Sequence, residues 1–181
     1  MKLAEKQLSS DYKFRGRIIN TRVDECELPD GNRALREVVE HPCGVTVAAL
    51  TDKDELLFVR QFRYPFMSLT LELPAGKLEK GEDPFEAMKR EQREETGTWS
   101  AEYISLGQVY PTPGYCAEIL HLWACRVSGH TQMDLDVDEF LEVEKIPLEE
   151  AYQMALNNQL PDANTQIGVL RTYALVKAGK L

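Results

Sequence analysis

Residues 45–50 read Val-Thr-Val-Ala-Ala-Leu, an apolar run with none of the alternation expected of a strand that has one wet face. Such a run suits a central strand covered on both sides, which commits the chain to a layered fold with helices over each face of a sheet. Residues 56–62 offer a second strand, reached through the polar turn Thr51-Asp52-Lys53-Asp54, and strand-like segments recur at 104–110 and 119–127. One covering helix starts at Asp83, which can cap. Pro84 suits the first helical position, Glu86 stands three residues after the cap as in a capping box, and Gly97 can end the helix in a left-handed conformation. Two more helical patterns, 148–157 after Pro147 and 164–177 after Pro161-Asp162, close the chain. The order predicts an α/β protein with a mixed sheet between helical layers.

Ahead of this, residues 14–22 and 35–41 are strand-like and flank the turn signal Pro29-Asp30-Gly31-Asn32, predicting an N-terminal antiparallel unit that ends at His41-Pro42. The expected division is a strand unit over 1–42 and a main domain over 43–181. A chain of 181 residues suffices for one sizeable core. Its net charge of −9 argues against nucleic acid as a partner, because that binding needs a basic surface to displace counterions. No apolar run approaches the length of a membrane span, and residues 1–11 lack the character of a signal peptide. Cys26, Cys43, Cys116 and Cys125 form no Cys-x-x-Cys pair. These features predict reduced thiols in a cytoplasmic protein with no membrane partner.

The stretch between Gly76 and Gly97 carries the chemistry. Glu91, Glu94 and Glu95 lie at i, i+3 and i+4, so their carboxylates project from one side of the expected helix. Like charges so placed cost roughly 0.2–0.5 kcal/mol per pair unless something cationic joins them. Hard divalent ions do so through oxygen ligands, commonly carboxylates together with substrate phosphates and water. A solvated acidic face, with Arg90 pairing to Glu86 and Glu94, is the alternative that geometry alone leaves open.

The whole pattern is a glycine, five residues, a glutamate, seven residues, then Arg-Glu-x-x-Glu-Glu-x-Gly, and it resembles the Nudix box. The resemblance implies a Nudix-type α/β/α sandwich with a mixed central sheet plus the N-terminal antiparallel strand unit. It implies Glu91 and Glu95 as principal metal ligands, Glu94 as a further ligand or water-ordering base, and the Ala75 carbonyl as an additional ligand. Arg90 would hold the glutamates in place, and Gly76 and Glu82 would shape the loop before the helix. Mg²⁺ is the implied cofactor, with Mn²⁺ as a substitute. Gln92 and Thr98 depart from the pattern, standing where a hydrophobic residue is usual.

Outside the box, five segments are similar to the branch of this family that cleaves ADP-ribose, a layout shared by GDP-mannose-cleaving relatives. They are Glu40-His41-Pro42, Val59-Arg60-Gln61-Phe62-Arg63-Tyr64, Glu72-Leu73-Pro74-Ala75-Gly76, Tyr110-Pro111-Thr112-Pro113-Gly114 and Asp138-Glu139-Phe140. Arg60 and Arg63 also meet a physical need, since an anionic substrate on an acidic protein requires cationic contacts and guanidinium forks match phosphate. With Pro113 and Gly114 they form the expected substrate-binding set. The acidic run 134–139 fails as a calcium loop, having Glu139 at its sixth position and Lys145 at its twelfth. In the family a mobile acidic loop here supplies a catalytic glutamate. Glu139 is the nearest candidate, with Asp136 and Asp138 in reserve.

The reaction so implied is Mg²⁺-dependent hydrolysis of a nucleoside diphosphate sugar such as ADP-ribose, GDP-mannose or ADP-glucose, yielding a nucleoside monophosphate and a sugar phosphate. The implied assembly is a homodimer whose N-terminal strands, about residues 14–41, complete the partner's pocket. The rivals are a non-catalytic nucleotide-sensing module and a hydrolase of nucleoside triphosphates or dinucleoside polyphosphates. The complete set of glutamates counts against the first, and the arginine and proline segments count against the second.

Overall fold

A computed structural model describes residues 2–135, 137 and 139–181. The chain separates into two compact units, one formed by residues 1–43 with 110–119 and the other by 44–109 with 120–181.

In the first unit β1 (Lys6–Arg15), β2 (Asn20–Glu27) and β3 (Arg33–Glu40) form an antiparallel sheet in that order. The β2–β3 hairpin runs in unbroken register from Asn20↔Glu40 to Glu27↔Arg33. Its turn is closed by Leu28 N–H to Asn32 O at 2.7 Å, with Gly31 at φ 87°. The single strand expected over 14–22 does not form. Gly16 N–H donates to Ile19 O at 2.9 Å, and the resulting turn separates β1 from β2. All ten residues of β1 are exposed, and its pairing with β2 shifts register between Gln7 and Ser9 and again between Tyr12 and Phe14. The 110–119 segment joins through Val39 N–H to Tyr115 O at 2.8 Å and Ala117 N–H to Val39 O at 2.9 Å.

The second unit holds β4 (Gly44–Leu50), β5 (Glu55–Arg63), β6 (Ser68–Glu72), β7 (Ala75–Lys77) and α1 (Pro84–Thr96). After these come β8 (Thr98–Trp99), β9 (Tyr103–Val109), β10 (Leu120–Arg126), β11 (Gly129–His130) and β12 (Leu141–Pro147). It ends with α2 (Leu148–Leu156) and α3 (Ala163–Lys177). The main sheet follows the path β12-β5-β4-β10-β9, with β6 paired to β5 and β7 paired to β4. β4 and β10 run parallel and the other pairs are antiparallel, so the sheet is mixed. β4 and β5 are paired at Leu50↔Leu56, and towards its start β4 takes β7 as its neighbour, with Thr46 opposite Ala75 and Val45 opposite Gly76. That change of neighbour brings the turn before α1 to the edge of the central strand.

Alternate residues of β4 enter different cores, which explains its unbroken apolar sequence. Val45, Val47 and Ala49 pack with Leu57, Cys125 and the α1 residues Ala87 and Met88. Ala48 and Leu50 pack with Phe58, Leu122, Leu148 and Ala151 of α2, and Val169 of α3. Full burial of a Leu or Phe such as Leu50 or Phe58 contributes about 1.5–3 kcal/mol. Helices therefore cover both faces of the sheet, as its central strand requires. Among the described residues no helix is long and apolar enough to cross a membrane.

Candidate active site

The start and end of α1 are chemically fixed. Asp83 accepts from Phe85 N–H at 3.0 Å and Glu86 N–H at 3.3 Å, and Pro84 follows it into the helix. The expected capping box is only half made: the Glu86 carboxylate pairs with Lys89 at 2.6 Å, and Asp83 caps alone. Glu82 instead accepts from Glu79 N–H at 2.9 Å and closes the preceding turn. Gly97 ends the helix at φ 59°. A Cβ there would also stand 2.7 Å from Thr131 O, so only glycine fits on both counts.

Glu95 lies on the buried face of α1 beside Ala87, Met88 and Gln92 and is fully buried. Its Oε2 accepts from Ala75 N–H at 2.8 Å, whereas its Oε1 has no hydrogen-bond partner among the described residues. Burial pushes this carboxyl well above its ordinary range, with repulsion from Glu91 and Glu139 adding to the shift. Glu91 is mostly buried too, and burial pushes its carboxyl up to about 7 against the pull of Arg90. Its carboxyl group lies directly against Gly76, where any Cβ would overlap it.

Arg90 holds three carboxylates together. It donates to Glu82 through Nε at 3.0 Å and Nη2 at 3.1 Å, and through Nη1 to Glu91 at 2.9 Å and Glu94 at 2.8 Å. Glu86 is not among its partners, contrary to the pairing that helical spacing allows. Glu94 is the most open of the three box glutamates, its side chain about a third exposed.

Both candidate arginines arrive as ion pairs. Arg63, at the end of β5, donates to Glu72 through Nε at 2.8 Å and Nη2 at 2.5 Å, and Thr70 adds its hydroxyl to Glu72 at 2.6 Å. Arg60 pairs with Glu144 of β12 in the same two-pronged manner. Arg60 keeps just over a third of its side chain open to solvent and Arg63 about two fifths. Glu72 and Glu144 are the residues that sequence reasoning missed, since both partnerships depend on which strands are neighbours. Pro113 and Gly114 belong to the first unit, exposed on a turn closed by Tyr115 N–H to Thr112 O at 3.2 Å.

The 131–134 segment is docked on the end of α1. Thr131 N–H donates to Gly97 O at 2.7 Å and Asp134 N–H donates to Glu94 O at 3.1 Å. Glu139 is close enough to Glu91 and Glu95 to raise the pKa of both. Asp136 and Asp138, its reserves, lie outside the described residues. The two departures from the box pattern turn out to be partners, with Gln92 Nε2 donating to Thr98 Oγ1 at 3.1 Å in the core. Two polar residues six positions apart, both standing where apolar ones are usual, were the signal for that pair.

The donor set suits a hard divalent cation. An unpaired, fully buried carboxylate oxygen on Glu95 beside a second buried carboxylate is a concentration of negative charge that metal coordination relieves. Among the described residues no three such side chains converge as a ready-made cage; Arg90 bridges Glu91 and Glu94 with its own positive charge.

Residues 40–167 match the family model described as NUDIX domain, and residues 5–39 match the one described as nucleoside diphosphate sugar hydrolase N-terminal domain. The ADP-ribose pyrophosphatase of Bacillus subtilis (strain 168) is 37% identical over 169 residues, spanning 92% of this chain and 91% of that protein. A protein of Bacillus methanolicus named methanol dehydrogenase activator is 37% identical over 167 residues, spanning 91% of this chain and 90% of its own. A crystal structure described as that of an ADP compounds hydrolase aligns with a TM-score of 0.83 over 98% of this chain and 97% of that one. At 20% identity, this likeness speaks to the fold alone.

Proposed function

The chain belongs to the NUDIX domain family, and from that premise we propose that it hydrolyses the diphosphate bond of nucleoside diphosphate sugars, ADP-ribose first among them. The products are a nucleoside monophosphate and a sugar phosphate. The observation that carries this reading is the Glu95 carboxyl buried beside Glu91, with one Glu95 oxygen unpaired among the described residues. A protein that only folds has little reason to bury that charge.

Members of the family generally use divalent metal ions. Here Glu91, Glu95 and the Ala75 carbonyl would hold Mg²⁺, or Mn²⁺ in its place, with Glu94 beside them. When bound, the metal neutralises charge on the diphosphate and lowers the pKa of water. The other steps fall to the protein. Arg60 and Arg63 offer the open edges of their guanidinium groups to phosphate oxygens, each steadied from behind by its glutamate. Pro113 and Gly114 complete the substrate-binding residues of this reading. Water attacks one phosphorus, the bond to the bridging oxygen breaks, and Glu139 takes the proton that the water releases. Arg90 keeps Glu91 and Glu94 from drifting apart under mutual repulsion.

The working form is a cytoplasmic homodimer. Support comes from β1, exposed along its length with Leu8, Tyr12 and Phe14, and from the hairpin tip that exposes Phe62, Tyr64, Phe66, Met67 and Leu69. Light scattering should therefore return twice the chain mass.

The deciding experiment is a matched panel with Mg²⁺: ADP-ribose, ADP-glucose, GDP-mannose, a dinucleoside polyphosphate and the deoxynucleoside triphosphates, with products separated by chromatography. A nucleotide sugar should give the highest kcat/KM. A triphosphate at the head of the panel overturns the substrate class, and tight binding without cleavage turns the protein into a sensor.

A further inference from the structure

The 72–76 segment concentrates what the proposed reaction needs. It carries Glu72, which holds Arg63; the Ala75 N–H, which meets Glu95; and Gly76, against which Glu91 rests. Its ends are fixed in the sheet, Glu72 opposite Val59 and Ala75 opposite Thr46. Between them, Pro74 O accepts from Val47 N–H at 3.0 Å, and the buried Leu73 N–H donates to the Thr165 hydroxyl at 2.9 Å. Thr165 lies in the first turn of α3, ninety-two residues further along the chain.

α3 is shaped for this approach. Thr165 is fully buried, and its own N–H donates to the capping carboxylate of Asp162 at 2.9 Å. Gly168, one turn on, supplies no Cβ; one placed there would stand 2.5 Å from Leu73 Cδ1. The neighbouring Asn164 amide is hydrogen-bonded to Thr46 Oγ1 at 3.2 Å, which ties the same turn to β4 opposite Ala75.

We propose that Thr165 is a positioning residue for the metal and diphosphate site, acting through the orientation of the 72–76 segment. The inference rests on the function proposed above. The peptide joining Glu72 to Leu73 is planar, so an acceptor on the Leu73 N–H fixes the Glu72 carbonyl as well. The next residue, Pro74, has its φ locked by its ring and offers no hinge to absorb a rotation. A tilt at Leu73 therefore reaches Ala75, whose N–H meets Glu95, and Glu72, which aims Arg63.

The test compares Thr165→Val, which keeps the shape and loses the acceptor, with Thr165→Ser, which keeps the acceptor. Val169→Ala serves as a control that loosens α3 in the core one turn beyond Thr165 while leaving the hydrogen bond to Leu73 in place. Free Mn²⁺ is counted by electron paramagnetic resonance to give its affinity, and kcat and KM for ADP-ribose are measured alongside thermal stability. Removing a partner bonded directly to a metal ligand typically weakens metal binding by roughly 10–100-fold, and Thr165, which holds the neighbouring segment, should reach the lower end, about 10-fold. That loss is expected for Thr165→Val, accompanied by a raised KM, with Thr165→Ser near wild type and Val169→Ala unchanged in Mn²⁺ affinity. If Thr165→Val does not fold, Thr165→Ala takes its place under the same criteria. Wild-type Mn²⁺ affinity in the variant, or an equal loss in Val169→Ala, overturns the inference while leaving the proposed function standing. A wild-type protein that binds no Mn²⁺ and cleaves nothing overturns both.

Discussion

Gly76→Ala places a methyl group where the Glu91 carboxyl now lies, and all three atoms nearest to that methyl belong to the Glu91 carboxyl group. Carbon atoms rest about 3.5–4.0 Å apart, so relief requires the carboxylate to retreat by about 1.5–2 Å, roughly half that separation. The atoms in the way are the far end of a flexible side chain, and Gly76 needs no left-handed backbone, so the fold should yield little. Alanine in place of glycine favours the folded state by about 0.5–1 kcal/mol. Stretching the 2.9 Å contact between Arg90 and Glu91 loses a partly exposed pair of about 0.2–1 kcal/mol. The two nearly cancel, and a residual of about 1 kcal/mol moves Tm by only about 2–4 °C in a chain of this size. Activity should respond differently, because a misplacement of about 1 Å at a reacting centre costs around 100-fold. Scanning calorimetry and kcat/KM for ADP-ribose read the two effects separately. The expected result is a loss of about 100-fold or more with Tm nearly unchanged. In a Glu91→Ala background the same substitution should add nothing further. Full activity in Gly76→Ala, a collapse in Tm, or a further loss on top of Glu91→Ala would refute the reasoning.

Three more expectations follow from the same geometry. Glu95→Gln removes a buried charge but keeps an oxygen for Ala75 N–H; loss of a direct ligand should cost at least the roughly 100-fold known for outer partners, while the Tm of metal-free protein stays level or rises. A fall of several degrees would instead make Glu95 a structural anchor. Burial pushes the Glu72 carboxyl up, but Arg63 and Thr70 outweigh it and hold it below its ordinary 4.5. A depressed carboxylate contributes stability above its unfolded pKa and loses it as pH falls through its folded one, so Glu72→Gln should flatten the decline in Tm below about pH 4.5; an unchanged acid limb would count against the Arg63–Glu72 pair. Glu139→Gln should lower kcat by ~10²–10⁴ with Mn²⁺ affinity little altered, and if kcat holds, Glu94 is the next residue to test.

The features legible in the sequence are those written in local spacing. The doubly covered strand β4, the Asp83 cap with Gly97 at the far end, and the three glutamates on one helix all follow from neighbours within a few turns. β1 was invisible because none of its residues points into a core: Lys6–Arg15 is held by backbone pairing, and its register shifts erase what alternation remained. The turn at Gly16 likewise leaves no signal stronger than the strand-like residues around it. Within the candidate site, Arg60 and Arg63 could be named from the chain, but not the carboxylates that aim them. Arg60 and Glu144 are eighty-four residues apart, and only the pairing of β5 with β12 makes them neighbours.

The buried contact between Gln92 and Thr98 ties the inheritance of the two positions together. An apolar residue at 98 alone strands the Gln92 Nε2 donor, at about 1–3 kcal/mol, whereas one at 92 alone leaves Thr98 Oγ1 its 2.7 Å contact with Thr96 Oγ1 and takes the acceptor from Tyr103 OH. Changing both strands no group at either position: Tyr103 OH gives up Gln92 Oε1 but still accepts from Ser100 N–H at 3.0 Å, and Thr96 still donates to the backbone carbonyl of residue 92 at 2.5 Å. Lineages with Gln at 92 should therefore seldom carry an apolar residue at 98. With total stabilities of about 5–15 kcal/mol, the single-step intermediate is a valley crossed only by a chain with stability to spare. The pair should serve as a genealogical marker, separating relatives of this protein by descent where the glutamates of α1 would look alike.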